Sequence, residues 1–394
     1  MPLFSRRRQS FDTSTEPVVK SLSAATAWVD LAPPSWGSRS YARLAEEGYR
    51  RNVVAHRCVR LVAECAASVP VKLARGERPA ATDDPVLKLL GAPNPHEGGA
   101  LFFETLYAHL QIGGNAFIEM IEDGAGPPRA LYLLRPDRVT PVPGPGGWPE
   151  AYDYRVDGRV RRLPAMQADG RQPVLHLKQF HPLDDQMGLG AIDAAAYAID
   201  LHNAATAWNK ALLDNAARPS GALVFAPNDG QPATLSDDQL FRLKRELNEQ
   251  YQGPGNAGRP LVLEGGLTWQ AMALSPADMD FMAAKHGAAR DIALAFGVPP
   301  MILGIPGDNT YANYQEANRA FWRLTLIPLI GRVLGQMARW LSLTLDDPVQ
   351  LVPDLDAVPA LAPEREALWA RVANAPFLSD REKRRAVGFG PDPD

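Results

Sequence analysis

The sequence from residue 275 to residue 341 reads SPADMDFMAAKHGAARDIALAFGVPPMILGIPGDNTYANYQEANRAFWRLTLIPLIGRVLGQMARWL. It holds two helical patterns and a stiff connection between them. Ser275 is placed to cap the free N–H groups of a helix start, and Pro276 takes the first helical position, where a missing N–H costs nothing. Met279, Met282, Ala283, Ala289, Ile292, Ala293 and Phe296 then recur at helical spacing, so a helix is expected up to Phe296, with Gly297 stopping it. A second helix is expected over residues 312–341, with Ala317, Phe321, Leu324, Ile327, Leu334, Ala338 and Leu341 on its apolar stripe. At 1.5 Å per residue it would run about 45 Å. Pro328 removes one of its backbone hydrogen bonds and should bend it. Residues 297–311 form the connection, a short loop stiffened by proline. Rods of this length need other bodies to lie against.

Upstream, Gly188-Leu189-Gly190 introduces a helix expected over residues 191–216. Its many alanines allow close helix approach, which suits a crowded ring of helices as well as a plain core helix. Residues 217–274 form an insert between the helices. Pro219-Ser220-Gly221 leads into a strand at 222–226. Ser236-Asp237-Asp238-Gln239 has the form of a capping box for a helix to about Tyr251. A turn-rich loop, Gly253-Pro254-Gly255-Asn256-Ala257-Gly258, precedes a hairpin of residues 261–263 and 267–273. So small an insert has a thin core, and strands shared between copies would support it.

Residues 41–69 read as one helix, with Val53, Val54, Cys58, Leu61, Val62, Cys65 and Ala66 inward and Arg50, Arg51, Arg57 and Arg60 opposite. That basic group suits nucleic acid or an acidic neighbour or, more plainly, a solvated face. Short strands and helices follow to residue 177, with Asp157-Gly158 as a hairpin turn, and predict an α+β domain with an antiparallel sheet. Residues 343–345 and 349–351 read as strands, and short helices start at Pro363 and Ser379, the last ending at Gly388. The first 40 residues read as a flexible arm whose Trp28, Val29, Leu31 and Trp36 would anchor on a neighbour or on the chain's own domain.

The 394 residues suit about two to three domains. The 36 prolines and 32 glycines fall mostly between periodic segments, which favours several small units over disorder. A net charge of −4 argues against a basic nucleic-acid binder, although a surface that lets DNA slide should itself avoid tight phosphate contacts. Cys58 and Cys65 are two helical turns apart and read as core thiols in a reducing compartment. No signal peptide and no span of the roughly 20 apolar residues that cross a bilayer is visible, so no membrane association is expected.

The sequence offers no catalytic chemistry. A P-loop, a zinc-spaced His/Cys set and a Gly-x-Ser-x-Gly elbow are all missing. Gly188-x-Gly190 and Gly304-Ile305-Pro306-Gly307 do not make a dinucleotide fingerprint. His286 reads as a core or interhelical histidine. Asp184-Asp185, with Asp193 and Asp200, is weak ground for a metal nuclease. No catalytic residue, metal or cofactor is therefore assigned. A metal-dependent nucleic-acid enzyme and a DNA-binding or capsid-associated structural module stay open as alternatives.

The sequence resembles the portal proteins of tailed bacteriophages of the HK97 type. The resemblance lies in the run from Gly297 to Gly304, in Asn309-Thr310-Tyr311-Ala312-Asn313-Tyr314, and in Ala317-Asn318 and Phe321-Trp322 with Pro328. Upstream it takes in Pro219-Ser220-Gly221, Tyr251-Gln252-Gly253, Asn256-Ala257-Gly258, Leu263 to Trp269, and Leu274-Ser275-Pro276. Tyr107, Gly113-Gly114-Asn115-Ala116, Leu133, Arg135-Pro136 and Gly188-Leu189-Gly190 fit as well. It spans roughly residues 50–350 in order, and looks particularly like the portals of alphaproteobacterial gene transfer agents.

The resemblance implies an α+β portal fold and a ring of twelve copies around a DNA channel at one capsid vertex, assembled in the bacterial cytoplasm. It implies a structural protein and not an enzyme. The partners implied are double-stranded DNA, the terminase large subunit, a head–tail adaptor and the major capsid protein. The family's regions would map as an N-terminal arm (1–40), a wing (41–188, completed by 312–354), stem helices (189–216 and 275–296), a clip (217–274), a tunnel loop (297–311) and a short crown with a disordered tail (355–394). Val298, Pro299, Pro300, Gly304, Gly307, Asp308, Asn309, Thr310 and Tyr311 would line the channel. Pro219, Ser220, Gly221, Tyr251, Gly253, Asn256, Gly258 and Trp269 would serve the clip and its partners. Lys210, Arg218, Lys285, Arg290 and Arg319 would offer sparse cationic points or ion pairs between subunits.

Overall fold

The computed structural model describes residues 40–75, 78–79, 83–122, 128–214, 221–225, 236, 238–239, 241–242, 245, 267–271, 281–306, 311–345 and 347–388. All of them belong to one unit, Arg39–Asp394. The expected arm, the helix start at Ser275-Pro276 and most of the insert lie outside the described residues.

Three helices carry the core. α2 (Val53–Ala67) packs along α4 (Gly99–Gly113), and α9 (Ile327–Leu345) lies against them, burying Cys58, Val62, Phe102, Leu106, Leu334, Met337 and Trp340 in one cluster. The expected helix over 41–69 is in two pieces. α1 (Tyr41–Arg43) runs into a π-helical stretch, Leu44–Arg50, and α2 restarts at Asn52. The Asn52 side chain is buried and accepts from the N–H groups of Val54 and Ala55 at 3.1 and 2.9 Å. An N-cap of this strength fixes a new helix start. Val53 becomes the first residue of a helix and points outward, 72% exposed, rather than inward as expected. Its arginine face is paired along its own length: Arg50 and Arg51 with Glu46, Arg57 and Arg60 with Glu64. Cys58 is buried, which pushes its thiol up to about 12, and Cys65 is half-buried.

In place of one sheet, the described residues outside the insert form three small antiparallel ones. β3 (Asn115–Ile121) lies between β4 (Ala130–Leu134) and β8 (Val174–Lys178). Its residues are buried on both faces up to Met120, which suits its apolar run. β5 (Val139–Pro143), β6 (Pro149–Val156) and β7 (Arg159–Pro164) form a meander. Asp157 and Gly158 have φ of 48° and 76°, as a type I′ hairpin turn requires. β1 (Val71–Arg75) pairs with β2 (Arg78–Pro79) on one side and β11 (Val349–Pro353) on the other, with Leu73 opposite Leu351. This pairing closes the chain's second half onto its first. Residues 343–345, expected as a strand, instead finish α9, because Leu341 and its predecessors keep an unbroken buried helical face.

Two glycine motifs meet at one joint. The Asn115 side chain donates to the carbonyls of Gly113 and Gly188 at 2.5 and 3.1 Å, and accepts from the Gly188 N–H at 2.7 Å. A Cβ on Gly188 would lie 2.2 Å from the Gly114 oxygen, and one on Gly190 2.5 Å from that of Ile112. Only glycine allows this approach, and it fixes where α5 (Ala191–Ala194) and α6 (Ala196–Asp214) leave the sheet. α6 packs along α7 (Phe281–Ala295). Asn52 ties α6 to α2, donating to His202 Nδ1 at 3.2 Å and to the side-chain Oδ1 of Asn203 at 3.0 Å. In the insert, β9 (Gly221–Phe225) pairs with β10 (Leu267–Ala271), and Ser236 and Gln239 exchange the two capping-box hydrogen bonds. Short 3₁₀ turns lead from β11 to α10 (Ala362–Ala373) and α11 (Asp380–Val387). α11 begins with a complete capping box at Ser379 and ends at Gly388 in the left-handed region.

Candidate functional site

The connection after α7 is built from the backbone outward. Gly297 has φ +63°. Its N–H donates to the Leu294 carbonyl at 2.9 Å, and the Val298 N–H reaches back to Ala293 at 2.9 Å. This is the Schellman closure of a helix, and it requires a residue that tolerates the left-handed region. Val298 turns into the core and is buried. Pro299 is extended, with φ −60° and ψ 129°. Pro300 then opens a 3₁₀ turn, Pro300–Leu303, which Gly304 ends with φ +72°. The Ile302 N–H donates to the Pro299 carbonyl at 3.0 Å and the Ile305 N–H to that of Pro300 at 3.2 Å, so the loop satisfies itself. Ile305 is buried against Ala289 and Ala293, and Arg290 donates to the Pro306 carbonyl. The loop thus folds back onto the helix it leaves. Residues 298–306 carry no charged side chain.

The helix on the far side is α8 (Tyr311–Phe321), a π-helical turn (Trp322–Leu326) and then α9. Just before Pro328, where a bend was expected, the helix widens into this π turn. Proline has no N–H to offer the carbonyl four residues back and crowds it, and a widened turn relieves both. The extra residue shifts the buried face to Phe321, Trp322, Leu326, Leu329 and Ile330, so Leu324, expected inside, is 77% exposed. From the π turn the Thr325 hydroxyl donates to the Gly297 carbonyl at 2.7 Å. No pattern in the sequence pointed to Thr325; its partner is far away in the chain and only the packing of the helices joins them.

Of the expected channel residues, Val298, Pro299, Pro300 and Gly304 stand together in this loop, and Tyr311 is the first residue of α8. Gly307, Asp308, Asn309 and Thr310 lie outside the described residues. Of the expected clip residues, Gly221 and Trp269 fall on the paired strands β9 and β10, opposite Ala271 and Leu223. Pro219, Ser220, Tyr251, Gly253, Asn256 and Gly258 lie outside the described residues. The inner stripe of α7 and its end is Ala288, Ala289, Ile292, Ala293 and Phe296; Met282 and Ala283, expected on it, are exposed. His286, expected in a core or between helices, is exposed in this chain. Among the cationic points, Arg290 holds Pro306 and Arg319 pairs with Glu316 at 2.8 Å; Arg218 lies outside the described residues.

Among the described residues no cluster of three or more His, Cys, Asp or Glu side chains could hold a metal ion. None of the described helices is long and apolar enough to cross a membrane. The strongly perturbed histidines are structural. Burial holds His109 down to about 4 and His176 down to about 3, the latter with Lys178 adding to the effect. His109 Nδ1 bonds the Tyr41 hydroxyl at 2.6 Å, and His176 Nε2 bonds Asn115 at 3.0 Å.

Comparison with known proteins places this arrangement. A protein of Rickettsia bellii is 41% identical over 92% of this chain and 93% of its own. The probable portal protein of Streptomyces phage phiC31 is 28% identical over 85% of this chain and 74% of its own. Among solved structures, a chain in the neck of an empty gene transfer agent particle, computed with C6 symmetry, is 50% identical. It matches 92% of this chain and 96% of its own with a TM-score of 0.70. A chain in the neck of the native particle, computed with C12 symmetry, is also 50% identical and matches 91% of this chain and 96% of its own with a TM-score of 0.67. The model of the family described as phage portal protein matches residues 53–388, and the chain belongs to that family.

Proposed function

We propose that this portal protein works as one of twelve copies in a ring at a capsid vertex of a gene-transfer-agent-like particle, with double-stranded DNA passing through the central hole. Residues 297–311 are the tunnel loop. α6 and α7 are the stem, 217–274 the clip, 41–188 with 312–354 the wing, and the segment after 355 a small crown. The clip docks the terminase large subunit during filling and a head–tail adaptor afterwards, while the wing meets the major capsid protein. Assembly takes place in the bacterial cytoplasm. The role is structural, and the motor's ATPase is a separate chain.

The observation that carries this reading is the loop between Gly297 and Pro306. It is stiffened by prolines, bonded to itself and to α7, and free of charge along its length. A wall that must let DNA pass needs shape without grip, because each cation on a phosphate adds affinity that opposes sliding. The 50% identity to a chain in a particle neck computed with C12 symmetry supports the ring.

Electron microscopy of the purified protein, alone and within particles, tests this. Radial rings with the 297–311 loop on the inner wall are expected. A solitary globule under all conditions, or a loop on the outer rim, would overturn the proposal. Salt-dependent binding of free DNA by the monomer without rings would favour a DNA-binding module instead.

A further inference from the structure

From Ala317 to Leu345, through the end of α8, the π turn and all of α9, the chain has four arginines and no aspartate or glutamate. In a protein of net charge −4 this is a local reversal of sign. Arg319 pairs with Glu316 at 2.8 Å, and Arg323 reaches Glu364 at 3.7 Å. Arg332 and Arg339 are exposed, and among the described residues no carboxylate stands within ion-pair distance of either. Seven residues separate them, so they lie two turns apart, about 10 Å, on one side of the helix. That side is turned away from Val333, Leu334, Met337 and Leu341, which are buried. Gly331 and Gly335 stand beside the two arginines and are exposed, and at neither would a Cβ meet anything within 4 Å. Glycine inside a helix costs stability that alanine would not, and no packing within the chain asks for it here. The two notches leave the helix backbone open to a body outside the chain.

We propose that this face of α9 is a second surface for double-stranded DNA, with Arg332 and Arg339 on phosphates and the duplex backbone lying close over Gly331 and Gly335. The proposal rests on the reading that DNA is the cargo, and not on the ring. Charge selects the occupant. Two cations without counter-charges, on a helix free of carboxylates, call for a polyanion. A duplex carries one negative charge per about 1.7 Å of its axis, so guanidinium groups about 10 Å apart find phosphates at any register and on any sequence. An acidic protein would have to bring carboxylates to matched positions. The contrast with the loop is one of kind: residues 298–306 carry no charge and give DNA nothing to hold, whereas α9 offers a grip. The two are also set apart. Thr325, which bonds the loop at Gly297, precedes Arg332 by about 10 Å of helix and Arg339 by about 21 Å.

Fluorescence anisotropy of a labelled duplex of about 30 base pairs, titrated with the full-length protein at about 50–300 mM salt, tests this. The variants are Arg332→Gln/Arg339→Gln and Gly335→Leu. Glutamine favours helix nearly as well as arginine, and leucine does so better than glycine, so both should fold, which far-UV circular dichroism and thermal melting check. Arg155→Gln/Arg159→Gln, at exposed positions of the β6–β7 hairpin, makes the same change of net charge elsewhere and is the control. For Arg332→Gln/Arg339→Gln the slope of log K against log salt should be shallower by about 1.8, two phosphate contacts at about 0.9 each, with affinity at about 100 mM salt lower by at least about tenfold. The control should keep the wild-type slope. Gly335→Leu should melt higher yet bind more weakly, a pair of changes that a glycine needed only for the fold would not give. The proposal is overturned by a wild type without salt-dependent binding, by a double variant with the wild-type slope, by an equal loss in the control, or by Gly335→Leu binding as tightly as the wild type. Displacement of the duplex by polyglutamate at equal charge overturns it too, and makes an acidic protein the occupant. Electron microscopy of the same samples reads the ring separately. Rings with an unchanged slope refute this surface and leave the ring standing; a monomer whose slope falls in the double variant refutes the ring and keeps the surface.

Discussion

Gly297→Ala, Thr325→Ala and the double variant form a cycle whose outcome follows from the geometry. An alanine at φ +63° is strained by about 1–2 kcal/mol. Its Cβ would also lie 2.6 Å from the Thr325 hydroxyl oxygen, so that side chain must swing away and lose its 2.7 Å bond to the Gly297 carbonyl. A net hydrogen bond is worth about 1 kcal/mol, which brings the cost of Gly297→Ala to about 2–3 kcal/mol. Thr325→Ala loses the same bond and nothing else of note, about 1 kcal/mol. In the double variant the bond is lost once and the clash is gone, so the cost is about 2–3 kcal/mol, that of Gly297→Ala alone, rather than the 3–4 of the sum. Urea unfolding followed by tryptophan fluorescence suits the measurement, because Trp322 in the π turn and Trp340 below it are both buried. All variants must be compared in the same assembly state. A Gly297→Ala variant within about 0.5 kcal/mol of wild type, or singles that add in the double, would refute the claim that Thr325 clamps this turn.

Three further outcomes follow. His109 and His176 are held neutral by burial, with folded values of about 4 and about 3 against about 6.5 when unfolded, so their stability contribution is full above pH 6.5 and is lost as pH falls toward those values. Between pH 7.5 and 5.5 the urea midpoint should drop by the equivalent of about 1.4 kcal/mol per histidine, and His109→Gln should remove one share of that drop; a flat profile would sink the assignment. Asn115→Ala leaves three backbone groups at the glycine joint without partners at about 1–3 kcal/mol each, so the chain should lose at least about 3 kcal/mol or fail to fold, whereas a melting temperature within 2 °C (roughly 1 kcal/mol) of wild type would show that the joint is held by something else. Ser379→Ala breaks the capping box of α11 and should cost about 1 kcal/mol locally, seen as faster amide exchange in residues 380–387 with the rest of the chain unchanged; protection equal to wild type throughout that helix counts against the cap.

What the sequence could announce was local chemistry. Gly297 as a helix stop, Pro299 and Pro300 as stiffeners, Asp157-Gly158 as a hairpin turn and Ser236 and Ser379 as caps all depend on neighbours within a few residues. The errors have two causes, distance along the chain and a change of helical phase. The Asn52 cap split a helix that periodicity read as continuous, because its buried partners His202 and Asn203 lie on another element. Leu324 turned outward because a π turn changed the phase of a stripe that was counted at 3.6 residues per turn. The pairing of β1 with β11, the meeting of two glycine motifs at Asn115 and the bond from Thr325 to Gly297 each join distant parts of the chain, and no window of sequence contains both partners. In the loop the same division holds: its stiffness was legible and its anchor was not.

The loop's position is set by what its flanking helices share. Ile292 and Phe296 on α7, Val298 in the loop, and Phe321, Trp322 and Leu326 at the π turn all enter the one core cluster that also holds α2, α4 and α9. Moving the loop as a body would therefore expose several large side chains at once, at about 25 cal/mol per Å² of apolar surface. The stretch from Pro299 to Leu303 is different. Its residues are only half-buried, and its turn is held chiefly by bonds within the loop. Among the described residues of the loop, the stretch free to yield is therefore the one between Val298 and Ile305, with these two buried side chains as its fixed ends.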